Sequence, residues 1–552
     1  MLSLPFNLSW SVILIGTILL YGISRAAQYY QDRRSTSFLP GMVFLASNFS
    51  LPGALLPGSD WIPGLIVNWK WRHTMYKASP IDMTSILGVF TGHPVLMTNS
   101  PEVSKQILGN KAPFDKFQES VNSFAAFGEN VFATMQEDWP RHRKAVAPGF
   151  NGRLYASVWN ETVNTYYDCM ATEKWEKEPE FIMPAVPAVT SKFALYLIAK
   201  CGFGIHLAWN EDVSERIKGM SLPECFDVTS RSILFLAFLP HWTYRLPIPA
   251  LRRLFEAINV LESILQGIID TRRIAGASND SESKDIFSLL LAANEREKGS
   301  KGALSDRELV SNVFILLLAG HETTSKALAA TLGELACHPE YQQRAYDEVV
   351  AVIPHGKDPT YDDCDRLQFV QGCFQEGLRM YPPALTTFRR PVEDTILQVP
   401  NKQGVSVPLQ VPKGQAIAID VCGIAYNDRV YLDPYTYKPE RWLDPATEPL
   451  LAFSYGSRVC IGRRFTMVET TAVIALLIRD YKMEPVLQEG QTVEQWLGMG
   501  VVRFSSVWSR TGPWFSKDTG SWFGPGSGPV QDRSRTGPGP VLGLLENISI
   551  KL

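Results

Sequence analysis

Hydrophobic and polar positions change rhythm several times along the chain. From Met1 to Ser24 no side chain is charged, and Leu2 to Ile23 is mostly Leu, Ile, Val, Trp and Phe. A helix of that length spans about 30 Å, the thickness of a bilayer's hydrocarbon layer, so the stretch predicts one membrane-crossing anchor. A cleaved signal peptide is the alternative, but the stretch lacks a charged n-region and a small-x-small cleavage site. Arg25, Arg33 and Arg34 follow directly, and the positive-inside rule then places the rest of the chain in the cytosol.

Residues 35–67 carry Pro40-Gly41, Pro52-Gly53, Pro57-Gly58 and Pro63-Gly64. Such pairs break helices and favour turns, so 25–66 predicts a stiff connector. Gly92-His93-Pro94-Val95-Leu96-Met97 reads as a turn followed by a strand, and Tyr155 to Asn294 as helical, interrupted by the proline-bearing stretch Leu236 to Pro249. The strongest helical pattern is Ser305 to Gly333. Ser305 and Glu308 have capping-box spacing, and Leu309, Val313, Leu316, Gly320 and Thr323 recur in steps of four and three, hence on one face. Thr466 to Asp480 reads as a further apolar helix. Ser505 to Gly543 repeats Ser-Arg-Thr-Gly-Pro at Ser509 and Ser534 and is dense in Gly, Pro, Ser and Trp. That composition builds no packed core, so 505–552 is expected to be a disordered tail after a body spanning 67–504.

Charge and cysteine usage remove several function classes. With 53 Lys and Arg against 56 Asp and Glu, the net charge is −3, and no basic run tracks phosphates, which argues against nucleic acid as a partner. Cys169, Cys201, Cys225, Cys337, Cys364, Cys373, Cys422 and Cys460 contain no Cys-x-x-Cys pair. This is the usage of reduced thiols facing the cytosol, not of a disulfide framework or a cysteine zinc site. Among the Asn-x-Ser/Thr sequons, Asn7 alone falls on the lumenal side of the anchor and is the glycosylation candidate.

The chemistry concentrates in Phe453-Ser454-Tyr455-Gly456-Ser457-Arg458-Val459-Cys460-Ile461-Gly462-Arg463-Arg464-Phe465. A lone cysteine stands between glycines that let the backbone approach something flat, with arginines on both sides and a helix starting just after. Helix N–H groups and guanidinium charge favour a thiolate, so Cys460 is expected to ionise readily and to ligate a metal through sulfur. Phe453, Gly456, Arg458, Cys460 and Gly462 together resemble the haem-binding signature of the cytochrome P450 family.

That resemblance implies a mainly α fold with a small β portion, the cytochrome P450 fold, behind one transmembrane helix. It implies haem b held by Cys460, and it gives roles to residues that would otherwise read as ordinary packing. Trp139 and Arg143, four apart on one helix face, would reach a haem propionate, as would Arg389 in Thr386-Thr387-Phe388-Arg389-Arg390. Gly320 in Ala319-Gly320-His321-Glu322-Thr323-Thr324 would leave space for O2 in a locally widened helix, with Glu322 and Thr323 delivering protons. Glu376 and Arg379, with Arg441 of Pro439-Glu440-Arg441-Trp442, would form a buried network that holds the Cys460 loop. The loop Pro113 to Phe132 and residues 497–500 would line the substrate cavity.

The implied reaction is monooxygenation of an apolar small molecule, with a terpenoid of fungal secondary metabolism as the first expectation and a fatty acid or a foreign aromatic as the alternatives. No flavin or nicotinamide fingerprint occurs in the chain. Electrons from NADPH would therefore arrive through a separate NADPH–cytochrome P450 reductase, with cytochrome b5 as a second donor, docking on Arg141, Arg143, Lys144, Arg463 and Arg464. The expected location is the endoplasmic reticulum membrane. A haem-thiolate isomerase or dehydratase that uses no O2, and an inactive haem binder, are the alternatives.

Overall fold

The computed structural model describes residues 10–47, 67–135, 138–183, 185–205, 219–232, 246–276, 285–297, 299–487 and 502–506, with a few short pieces between these runs. Asn7, residues 497–500 and nearly all of the 505–552 tail lie outside them. The chain divides into two compact units. The smaller is Met1–Phe117, Leu385–Leu432 and Ser454–Arg458; the larger is Gln118–Ala384, Asp433–Phe453 and Val459–Leu552.

In the smaller unit, helix α1 (Trp10–Ser35) runs past the expected anchor limit at Ser24. Ile13, Leu14, Ile15, Ile18, Leu19, Leu20 and Ile23 are exposed along it, yet among the described residues no helix is long and apolar enough to cross a membrane. Arg25 donates twice to the Val89 carbonyl, at 2.7 and 3.0 Å. The expected connector is more than turns, because β1 (Gly41–Ala46) pairs in parallel with β2 (Met83–Thr91). The sheet has the order β1-β2-β3-β9-β6-β4, with β3 Val95–Thr98, β4 Phe114–Lys116, β6 Thr386–Pro391 and β9 Ala416–Asp420. A second sheet pairs β7 (Thr395–Pro400) with β8 (Ser406–Val411). Helix α2 (Pro101–Leu108) starts where the Ser100 hydroxyl accepts the Val103 N–H at 3.2 Å, with Pro101 at the position that needs no N–H.

The larger unit is helical: α3 Trp139–Val146, α4 Gly152–Thr172, α5 Val186–Leu197, α6 Leu222–Arg231, α7 Pro249–Gly276, α8 Ile286–Arg296, α9 Asp306–Cys337, α10 Pro339–Val352, α11 Gln368–Met380 and α12 Arg463–Asp480. The capping box at Ser305 and Glu308 forms as its spacing predicts, both reciprocal bonds being present. Beyond its first turn α9 is buried on nearly every side, from Leu309 to Leu318 without a break, so it is a core helix and not an amphipathic one. Strand β5 (Glu180–Met183) joins β10 (Tyr481–Pro485) through β11 (Val502–Ser506). A closing strand therefore exists and extends two residues into the expected tail.

Candidate active site

Cys460 lies three residues before α12, and its N–H donates to the Phe453 carbonyl at 2.8 Å. All eight cysteines are free, and Cys460 is the exposed one; six are buried and Cys337 is half-buried. Surrounding protein mass pushes the thiol of the metal-free Cys460 above its ordinary value. Burial outweighs the opposing pull of the Gly462 N–H, Arg143, and the Arg463 N–H and guanidinium. Those groups nonetheless form a ready set of donors for a metal-bound sulfur anion. At Gly462 an added Cβ would lie in ordinary contact with the Cys460 sulfur, at 3.9 Å. The Arg463 guanidinium lies 5.7 Å from the Phe453 ring centroid.

On α3, Pro140 stands in the first turn beside Trp139, where its missing N–H costs nothing. Trp139 and Arg143 are both half-buried. Arg143 donates to the Val459 carbonyl at 3.5 Å and feels Cys460 electrostatically, so the structure brings these two predicted residues together.

Along α9 only Ala319 and Thr323 are exposed beyond the first turn, and they stand four apart on one face. The Thr323 hydroxyl donates to the Ala319 carbonyl at 2.7 Å, and the Glu322 carboxylate pairs with Lys326 at 2.7 Å. Gly320 does not serve as expected. The helix stays α-helical through this stretch, and a Cβ on Gly320 would meet Ile198 Cγ1 at 3.0 Å. Its missing side chain admits Ile198 from the π turn Ile198–Gly202 that follows α5, so the local widening lies on the neighbouring segment.

The Glu376 network forms as the resemblance implies and is larger than expected. Arg379 donates from Nε and Nη2 to the two carboxylate oxygens at 2.9 and 2.8 Å. Arg441 Nε reaches Oε1 at 3.0 Å, Trp442 Nε1 reaches Oε2 at 2.9 Å, and the Lys438 N–H reaches Oε1 at 3.1 Å. Gly377, beside it, is required by close packing, since a Cβ there would collide with the Thr331 hydroxyl.

In the smaller unit, the antiparallel register of β4 on β6 sets Lys116 opposite Arg389, and both are buried. Burial, then Arg458, then Arg389 hold the Lys116 ammonium well below its usual range. Burial brings Arg389 down to about 10 against the pull of Asp115. Like charges directly opposite in a sheet are unfavourable, and a carboxylate ligand would relieve them. Gly456 has φ +70°, and a Cβ there would collide with the Leu108 carbonyl, so the signature needs glycine for backbone reasons. Sequence reasoning missed Lys116. Within the stretch expected to line the cavity, Pro113 to Phe132, Phe114–Lys116 is strand and Gln118–Ser120 and Asn122–Ala125 are short 3-10 turns.

The predicted basic docking surface is mostly neutralised. Lys144 pairs with Glu297 at 2.5 Å, Arg141 with Glu308 at 2.6 Å and Arg464 with Asp365 at 2.8 Å. Glu129, His142 and Glu308 come close enough to share a cation. However, the Asn312 amide, oriented by the Val131 N–H on its oxygen, donates to His142 Nδ1. That leaves the proton on Nε2 and no lone pair facing the carboxylates.

In the larger unit, the N–H and guanidinium donors around the Cys460 sulfur suit an anionic sulfur bound to haem iron, which points to the haem-thiolate class. The comparisons carry this to a family. The cytochrome P450 family model matches residues 82–505. Cytochrome P450 monooxygenase 124 of Postia placenta is 34% identical over 435 residues, 77% of this chain and 83% of that protein. Pentalenene oxygenase of Streptomyces avermitilis is 27% identical over 391 residues, 69% of this chain and 80% of that protein. A crystal structure of a cytochrome P450 superposes with a TM-score of 0.62 at 20% identity, covering 74% of this chain and 90% of that one. The chain belongs to the cytochrome P450 family, is of fungal type, and is an oxidoreductase of its monooxygenase class.

Proposed function

We propose that the protein inserts one oxygen atom of O2 into an apolar small molecule, by hydroxylation or epoxidation, in fungal secondary metabolism. The observation that carries this reading is Cys460, the exposed thiol among eight cysteines, with N–H and guanidinium donors around its sulfur. A terpenoid is the favoured substrate class, supported by a relative named for pentalenene.

When bound through that sulfur, haem supplies reductive cleavage of O2 and oxygen transfer. The residues of this chain do the rest. With the sulfur bound to iron, the Gly462 and Arg463 N–H groups and Arg143 would stabilise its negative charge. Trp139 and Arg143 would hold a haem carboxylate, and Arg389 and Arg458 keep the cofactor-binding roles that the family signature gives them. The Thr323 hydroxyl, which donates to the Ala319 carbonyl, would turn to hand its proton on, and the Glu322 carboxylate would take up a proton from solvent, loosening its pair with Lys326, and pass it to Thr323. Electrons come from NADPH through NADPH–cytochrome P450 reductase or cytochrome b5.

The test is the reduced carbon monoxide difference spectrum of the wild type and of Cys460→Ser, followed by NADPH consumption and 18O2 incorporation. Loss of the red-shifted Soret band in the variant and labelled product from the wild type are expected. A retained band in Cys460→Ser sinks the assignment. Unlabelled product would identify an isomerase or dehydratase, and a band without NADPH consumption an inactive haem binder.

The location proposed is the endoplasmic reticulum membrane, through residues 1–24, with the catalytic part cytosolic. The exposed Ile and Leu residues of α1 support it. Alkaline carbonate should leave the full chain in the membrane pellet and release a chain lacking residues 1–24; release of both would refute the anchor.

A further inference from the structure

Three consecutive residues of α9 are each fastened to something different, and together they fix which face of the helix stays accessible. Gly320 receives Ile198 from the π turn, and Glu322 is tied to Lys326. Between them His321 points away from Ala319 and Thr323 into the protein, 8% exposed, with Nε2 at 2.8 Å from the Ser191 hydroxyl oxygen on α5.

The orphaned atom of the ring settles the direction of that bond. His321 Nδ1 is buried with no hydrogen-bond partner. A buried N–H without an acceptor costs more than an unused lone pair, so the proton sits on Nε2 and is donated to Ser191. Burial also holds the imidazole below its ordinary pKa, so the ring is neutral.

We infer that His321 and Ser191 form a latch that sets the rotation of α9, so that His321 is a positioning residue for Thr323 and Glu322 in the proposed oxygen insertion. The argument is geometric. His321 is adjacent to Glu322 and two residues from Thr323 on a rigid helix, so a hydrogen bond made on the far side restrains how the accessible side is presented. The packing that buries α9 holds the helix as a whole, and this directional bond adds at His321 a restraint on rotation that the apolar contact of Ile198 does not give.

The inference rests on the monooxygenase reading for its kinetic arm and is independent of it for its structural arm. The variants are Ser191→Ala and His321→Leu, which remove the bond, and Ser191→Thr and His321→Gln, which keep a hydroxyl or an Nε donor in place. With pentalenene as probe in the haem-loaded full chain, product formed per NADPH should fall about tenfold in the first pair and recover in the second, with the carbon monoxide spectrum unchanged throughout. In the resting protein, amide hydrogen exchange over residues 317–325 should rise in the first pair only. Unchanged coupling and unchanged exchange in Ser191→Ala and His321→Leu would overturn the latch, as would equal losses in the conservative pair. If the wild type oxidises nothing, the functional reading fails while the exchange measurement still decides the latch.

Discussion

Both units bury charge, and they handle it in opposite ways. In the helical unit the fully buried Glu376 is surrounded by five donors, two of them on the equally buried Arg379. In the sheet unit Lys116 and Arg389 face each other across strands with Arg458 nearby. The first arrangement is complete in the protein itself and serves folding. The second gathers more cationic than anionic charge, Asp115 pulling on both Lys116 and Arg389, and a further negative group would favour it. Local charge balance therefore distinguishes a network completed within the chain from a cluster whose net charge is positive.

The largest expected effect falls on the complete network. Glu376→Gln removes the counter-charge from a buried guanidinium and should cost about 3–5 kcal/mol of stability, read as a lowered denaturant midpoint with and without haem. A loss under about 1 kcal/mol would mean that the network is not the folding element the contrast requires. For the sheet unit the sign should depend on the ligand. Lys116→Met should leave the haem-free protein as stable or more so, while haem transfer to apomyoglobin speeds up about tenfold, the equivalent of one charge-assisted hydrogen bond. Destabilisation of the haem-free form would erase the difference between the units.

Much of the helical unit was legible because its signals are local. Ser305 and Glu308 are three residues apart, as are Glu376 and Arg379, and the Cys460 signature is contiguous. What stayed hidden depends on partners far away in the chain. Lys116 meets Arg389 only after β4 pairs with β6, and β1 becomes a strand only because β2 lies beside it. The glycines mislead for the same reason. Gly377 carries no readable purpose until Thr331 is found against it, and Gly320 suggested room for O2 where Ile198 sits.

A second buried carboxyl sharpens the contrast by pH. Asp420 in the sheet unit is fully buried, but its partners are the neutral Asn68 amide, Tyr76 hydroxyl and Gly423 N–H. Burial outweighs these bonds and pushes its carboxyl up to about 6. Because the folded value lies above the unfolded one of about 3.9, this group's contribution is fully present below pH ~3.9 and is lost as pH rises through about 6. Asp420→Asn should flatten the fall in unfolding midpoint between pH 4 and 6; parallel curves for the two proteins would show that Asp420 stays ionised.

The smallest effect expected returns to α9. Gly320→Ala gains about 1 kcal/mol of helix propensity and must push the flexible end of Ile198 by a few tenths of an ångström, so its stability should change by less than about 1 kcal/mol in either direction. Carbon monoxide binding should also be kept, because the new methyl points at Ile198 and not toward the accessible Ala319 and Thr323. If the variant folds normally but loses carbon monoxide binding, the glycine lies at the gas site after all, and the packing role assigned to it through Ile198 is wrong.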